Sequence, residues 1–205
     1  MESLQGYVPD TFDDWTGERE CIVRLRPNEA IGIVNLARLV DRPLLLPTAF
    51  YRCALLGGDI MDGFRREDKT VERLRRSDVK RCINGRNELA ERAISVVSEV
   101  FASSTSPCEA CATRDRCRTA LQTTLELAVD DDCASDPDVL QSWKGPINRW
   151  AANLSLCNLC EEEVIARDLG ARKRVWNELP DIFDLTVEGW VTSEDEDDTT
   201  DTESD

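Results

Sequence analysis

Five of the chain's nine cysteines fall in two short runs, CEACATRDRC at 108–117 and CNLC at 157–160. Thiols at such spacing pair as disulfides, cycle as a redox couple, or bind a metal as thiolates. Cys157 and Cys160 make one close pair. The second comes from Cys108, Cys111 and Cys117, either as the CxxC of Cys108 and Cys111 or as the wider Cys111 and Cys117. Two close pairs brought together by a fold are what a tetrahedral zinc ion requires, and close ligands lose little chain entropy on binding. Five candidates for four positions leave one spare. A four-thiolate zinc centre carries about −2 formal charge. Arg114, Arg116 and Arg118 around the first run, and Arg167 and Arg172 after the second, are expected to offset it. Glu161, Glu162 and Glu163 work against it unless they point to water.

Other chemistries are narrowed by what the sequence lacks. There is no histidine, which excludes Ser-His-Asp and Cys-His nucleophiles, histidine general bases and histidine-ligated metals. Pro107 to Cys111 reads PCEAC, the second half of the zinc-deaminase signature. Its first half, H-x-E or a cysteine variant, is missing, because none of Cys21, Cys53 or Cys82 has Glu two residues on. The start, MESLQGYVPDTFDDW, has neither the basic residues nor the apolar run of a signal peptide. No stretch is apolar enough to span a membrane. The expectation is an intracellular protein of cytoplasm or nucleus. There an odd number of cysteines fits free and metal-bound thiols better than a disulfide framework. Cys21, Cys53, Cys82 and Cys133 are scattered and read as small buried apolar side chains. A thiol redox protein or cysteine-based enzyme using the CNLC pair is the second reading.

The elements that must hold these thiols read as helices. Asn28 is placed to cap a helix through Ala30, Ile33, Val34, Ala37 and Val40, ended by Pro43. Pro47 suits the first turn of the next helix, which Gly57 and Gly58 close. Residues 59–76 are polar and turn-rich. Ser77 is expected to cap a long helix with Val79, Cys82, Ile83, Leu89, Ala93, Val96, Val97 and Val100 on one face. Gly85 inside it marks a close helix contact or a break. SSTSP at 103–107 reads as a linker. A helix then runs through Leu121, Leu125 and Ala128, and another begins at Asp136-Pro137, carrying Val139, Leu140, Trp143, Ile147, Trp150 and Leu154. A last helix follows Cys160 and is stopped by Pro180. The fold class is all-α: an arm over residues 1–20 pinned by Tyr7, Phe12 and Trp15, an irregular multi-helix domain over 21–192, and an acidic tail over 193–205.

Charge is uneven. The whole chain is −16, and the last thirteen residues, SEDEDDTTDTESD, hold eight carboxylates and no base; without them 33 acids face 25 bases, a net of −8. The composition predicts a disordered tail, with acids three residues after Ser193, Thr200 and Thr202, as acid-directed kinases favour. Residues 65–92 hold ten Arg or Lys against six acids. They read as a solvated face, with a nucleic-acid surface or an acceptor for the tail as alternatives; an acidic whole repels a phosphate backbone, so a nucleic-acid partner is not expected.

The run IVNLARLVDRPLLLPTAFYRCA, then SDVKRCINGRNEL, the cysteine pairs, LCNLCEEEVIARDLGARKRVWNELPDIFDL and VEGW resembles the C-terminal region of fungal BTB/POZ-domain proteins, over about Tyr7 to Trp190. The opening YVPDTFDDW is similar to the segment after the BTB domain. The resemblance implies a helical, BACK-like module for protein–protein interaction, in ubiquitin-ligase adaptors or transcriptional regulation. It also implies that Cys111 and Cys117, in the CATRDRC spacing, join Cys157 and Cys160 on a structural Zn2+, with Cys108 as the alternative ligand. The sequence contains no BTB domain, so that domain's cullin-binding and dimerising surface is not carried over.

Overall fold

The computed structural model describes residues 9–17, 26–102, 108, 110–130, 133–154 and 156–190, without the side chains of 133, 150–152 and 154. Tyr7, Cys21, the SSTSP stretch, the acidic tail, and the side chains of Cys133 and Trp150 lie outside the described residues. The chain is mostly helical, as expected. Its helices are α1 (Phe12–Thr16), α2 (Glu29–Leu39), α3 (Leu46–Leu55), α4 (Arg76–Val100), α5 (Arg114–Asp130), α6 (Lys144–Leu154) and α7 (Asn158–Ile182). Two strands of two residues, β1 (Phe64–Arg65) and β2 (Val71–Glu72), pair antiparallel with Phe64 opposite Glu72. This hairpin lies in the stretch read as turn-rich, where no alternation of apolar and polar residues is long enough to announce it. The residues group into two compact units: one holds those up to Asn87 and from Trp176 on, the other Glu88–Val175.

In the first unit, α2 starts where its periodicity puts it, but not by the expected cap. The Asn28 side chain makes no capping bond; the Arg26 N–H donates to Glu29 Oε2 at 2.7 Å instead. Ala30, Ile31, Val34 and Ala37 are buried against α3, whose Phe50, Tyr51 and Cys53 are wholly enclosed. Within residues 9–17 of the arm there is one short helix, with Thr11 Oγ1 accepting the Asp14 N–H. Its aromatics pin it: Trp15 sits edge-on to Tyr51 and 5.5 Å from Trp176, which stacks on Trp190 at 5.3 Å. The Arg52 guanidinium lies 5.1 Å from the Trp15 ring, a cation–π contact.

Gly85 marks a close contact, not a break. Helix α4 runs unbroken past it, and a Cβ there would stand 2.3 Å from the Phe183 ring. Phe183 is fully enclosed and stacks on Phe50 at 5.8 Å. Alanine ordinarily stabilises a helix interior by about 0.8–1.0 kcal/mol relative to glycine. Here overpacking of about 1–3 kcal/mol opposes it. We expect Gly85→Ala to destabilise on balance, and Gly85→Ala combined with Phe183→Leu to be less costly than the two single changes summed, as measured by urea denaturation.

In the second unit the largest departure is the start of α6. Val139, Leu140 and Trp143 were expected on a helix opened by Asp136-Pro137, but the helix begins at Lys144. Asp136 Oδ1 takes the Asp138 N–H at 2.9 Å, closing a turn. The Ser142 hydroxyl then donates to Asp168 Oδ2 at 3.1 Å. Asp168 is wholly buried on α7 and is ion-paired at 3.0 Å with Arg172 one turn on. The side chain-to-backbone turn competes with helix at this position, while Val139 and Leu140 are buried all the same. Two smaller boundaries also shift. Helix α4 begins at Arg76, so Ser77 is in its first turn and not its cap, and α7 continues past Pro180 to Ile182. Ile83, expected inside, is 53% exposed.

Candidate metal centre

The four expected ligands meet. The sulfur atoms of Cys111, Cys117, Cys157 and Cys160 lie within 4.8 Å of one another, and the backbone explains how. Cys111 ends the turn before α5, and Cys117 is in the first turn of α5, its N–H bonded to the Thr113 carbonyl at 3.0 Å. Cys157 immediately precedes α7, and its carbonyl takes the Glu161 N–H at 3.0 Å, while Cys160 lies in the first turn. The thiols therefore gather at two helix N-termini. There the free N–H groups and the helix dipole favour negative sulfur. Cys117 and Cys160 are fully enclosed, Cys111 nearly so, and Leu156 packs against them.

The distances suit a metal and not a disulfide. Cys111 and Cys157 sulfurs are 3.8 Å apart. A tetrahedron with metal–sulfur bonds of about 2.3 Å has edges of roughly 3.8 Å, whereas a disulfide bond is about 2.05 Å. None of the seven described cysteines is in a disulfide. The spare thiol is also present: Cys108 Sγ is 3.5 Å from Cys160 Sγ, at the half-buried edge of the cluster and outside the set of four. Four close cysteines can thus hold a metal ion, and the donor set is all sulfur.

Thr113 is a member of the site that the cysteine spacing did not reveal. Its hydroxyl is 3.4 Å from Cys117 Sγ and 4.0 Å from Cys111 Sγ. Burial pushes the Cys111 thiol up, but the Thr113 N–H and the thiols of Cys160, Cys117 and Cys157 outweigh it and bring it down to about 7. Burial, reinforced by the surrounding thiols, drives Cys160 far above the usual thiol range. The Cys160 N–H pulls Cys157 down, yet burial and the thiols of Cys117 and Cys111 leave it raised. The Cys111 sulfur is therefore poised to carry charge while Cys157 and Cys160 hold their protons. Loading a divalent cation must release those protons. Three of the five arginines expected to balance the centre pair with carboxylates instead. Arg118 pairs with Asp115, Arg167 with Glu163 and Arg172 with Asp168.

The remaining described cysteines behave as read. Cys53 on α3 and Cys82 on α4 are buried side by side. The Cys82 thiol, then burial, raises Cys53. Together they line a cavity of about 280 Å³ with Ile60, Met61 and Arg86. Among the described residues no helix is long and apolar enough to cross a membrane. The chain matches no protein-family model, no curated protein and no solved structure.

Proposed function

We propose that Cys111, Cys117, Cys157 and Cys160 hold one structural zinc ion in a non-enzymatic protein-interaction module of the BACK-like kind, the role implied by the resemblance to the region after fungal BTB domains. The observation that carries the metal reading is the approach of four sulfur atoms to within 4.8 Å at two helix N-termini. Zinc, when bound, supplies the positive charge that lets all four thiols ionise. Four thiolates also fill its tetrahedron, leaving no position for water or substrate, which is why the role is structural. The interaction reading is supported by apolar side chains left in water at the end of α2, where Leu39 is 81% and Val40 46% exposed. An adaptor in ubiquitin ligation or transcriptional regulation, in cytoplasm or nucleus, is the setting this reading implies.

Protein purified without added metal is expected to carry one equivalent of zinc per chain by elemental analysis. Its clustered thiols should react with iodoacetamide only after chelation. Cys108→Ser keeps that equivalent and Cys117→Ser loses it. A coloured protein carrying iron would change the metal, since sulfur tetrahedra also suit iron. Metal-free protein whose Cys157 and Cys160 alkylate rapidly at neutral pH would make it a thiol redox protein and overturn the reading.

A further inference from the structure

The stretch around the hairpin is nearly balanced in sequence but not on the surface. Three of its six acids are turned inward or already engaged, while Glu67, Glu88 and Glu91 are exposed. Glu72 accepts from Asn35 at 2.9 Å and pairs with Arg66. Asp78, 1% exposed, takes Arg38 at 2.8 Å and Arg81 at 3.4 Å. Asp68 accepts the Thr70 N–H and hydroxyl. Six cations lie in water. Arg65, Lys69, Arg73, Arg75, Arg76 and Lys80 are all exposed and, among the described residues, form no ion pair.

This ridge is built on fixed backbone. The Arg66 N–H bonds the Thr70 carbonyl at 2.9 Å across the hairpin tip, and Asn35 of α2 also bonds the Arg73 carbonyl at 3.3 Å. Gly63, at φ +79°, leads into it where a Cβ would strike the Glu72 carbonyl at 2.3 Å. Six exposed cations within sixteen residues, without an ion pair among the described residues, on a chain of net charge −16 call for an anionic occupant.

We infer that the ridge is a docking surface for an acidic segment, and that its occupant is the chain's own 193–205 stretch. That stretch carries eight carboxylates and no base. Its root is fixed in the same unit as the ridge: Trp190, 7% exposed, stacks on Trp176. The fifteen residues beyond Trp190 can span up to about 50 Å. A unit of roughly 100 residues has a radius of gyration of only about 13 Å, so the tail reaches every face of it. Tethering gives it an effective concentration that a free anion lacks. The rest of the chain, at −8, opposes any polyanion, and the tethered tail differs from a free polyphosphate in being held close enough to offset that repulsion.

The chain has four lysines, of which Lys69 and Lys80 lie on the ridge and Lys144 and Lys173 do not. Zero-length carbodiimide coupling of the full chain at low ionic strength, followed by peptide mapping, should join tail carboxylates to Lys69 and Lys80 at least about fivefold more often than to exposed Lys144. The coupling should fall steeply in 0.5 M salt, where the Debye length is only about 4 Å. Equal coupling to Lys144, or none to the ridge, overturns the proposal. Coupling found only in covalent dimers gives the site to a second copy's tail and overturns it as an intramolecular contact. In a full-length variant with Glu194→Gln, Asp195→Asn, Glu196→Gln, Asp197→Asn and Asp198→Asn, retention on heparin should rise well above that of the parent. Parent protein binding heparin or RNA as tightly as this variant would assign the ridge to nucleic acid instead.

Discussion

Replacing Cys160 with serine should remove the bound metal and cost the second unit most of its stability. Cys160 is fully enclosed among the other thiols, and a hydroxyl of similar size is a poor ligand for zinc. Structural zinc contributes about 10–16 kcal/mol of apparent binding energy in small peptide sites at pH 7, against a total stability of about 5–15 kcal/mol for a domain. Loss of such an ion would therefore remove a free energy comparable to the whole margin by which residues 88–175 stay folded. Circular dichroism should show a melting temperature lower by more than 10 °C, and limited proteolysis should cut within 108–160 first. A chelator should reproduce this in the parent protein and add nothing to the variant. Cys108→Ser, a like change at the edge of the cluster, should move the melting temperature by no more than a few degrees. Equal melting of parent, chelated parent and Cys160→Ser would eliminate a metal role in the fold.

The second large effect is at Asp168. Its carboxylate joins Arg172, Ser142 and the Trp143 N–H, the last at 3.4 Å. Breaking a buried ion pair from one side typically costs about 3–5 kcal/mol, because the other charge is left without a partner. Asp168→Ala should cost that much in urea denaturation, with an early change in Trp143 emission as its loop comes free. Asp168→Leu with Arg172→Met should recover much of the loss, since both charges then leave together. A single change costing under about 1 kcal/mol would mean the carboxylate does not organise this loop.

What could be read without coordinates follows from how local each signal is. The helices α2, α3 and α5 were legible because apolar residues recur at helical spacing and because Pro47 and Gly57 punctuate it. The cysteine runs were legible because metal ligands come in close pairs; which thiols close the set was not, since Cys108, Cys111 and Cys117 differ only in where the turn before α5 sends them. The start of α6 was misplaced because the deciding partner, Asp168, is 25 residues away from Trp143. Thr113 gave no signal, because any short polar residue suits a turn. Gly85 was ambiguous until Phe183, far along the chain, supplied the ring that fills its missing side chain.

The indole cluster has a consequence for how the protein is made. Phe12 and Trp15 are completed by Trp176 and Trp190, so this part of the core cannot close until residues more than 150 positions later in the sequence have been made. Residues 88–175 emerge in between and can bring their four cysteines together while the earlier part is still open. The order of assembly runs from the middle outward, and a nascent chain stalled before Trp176 would carry a finished insert inside an unfinished host.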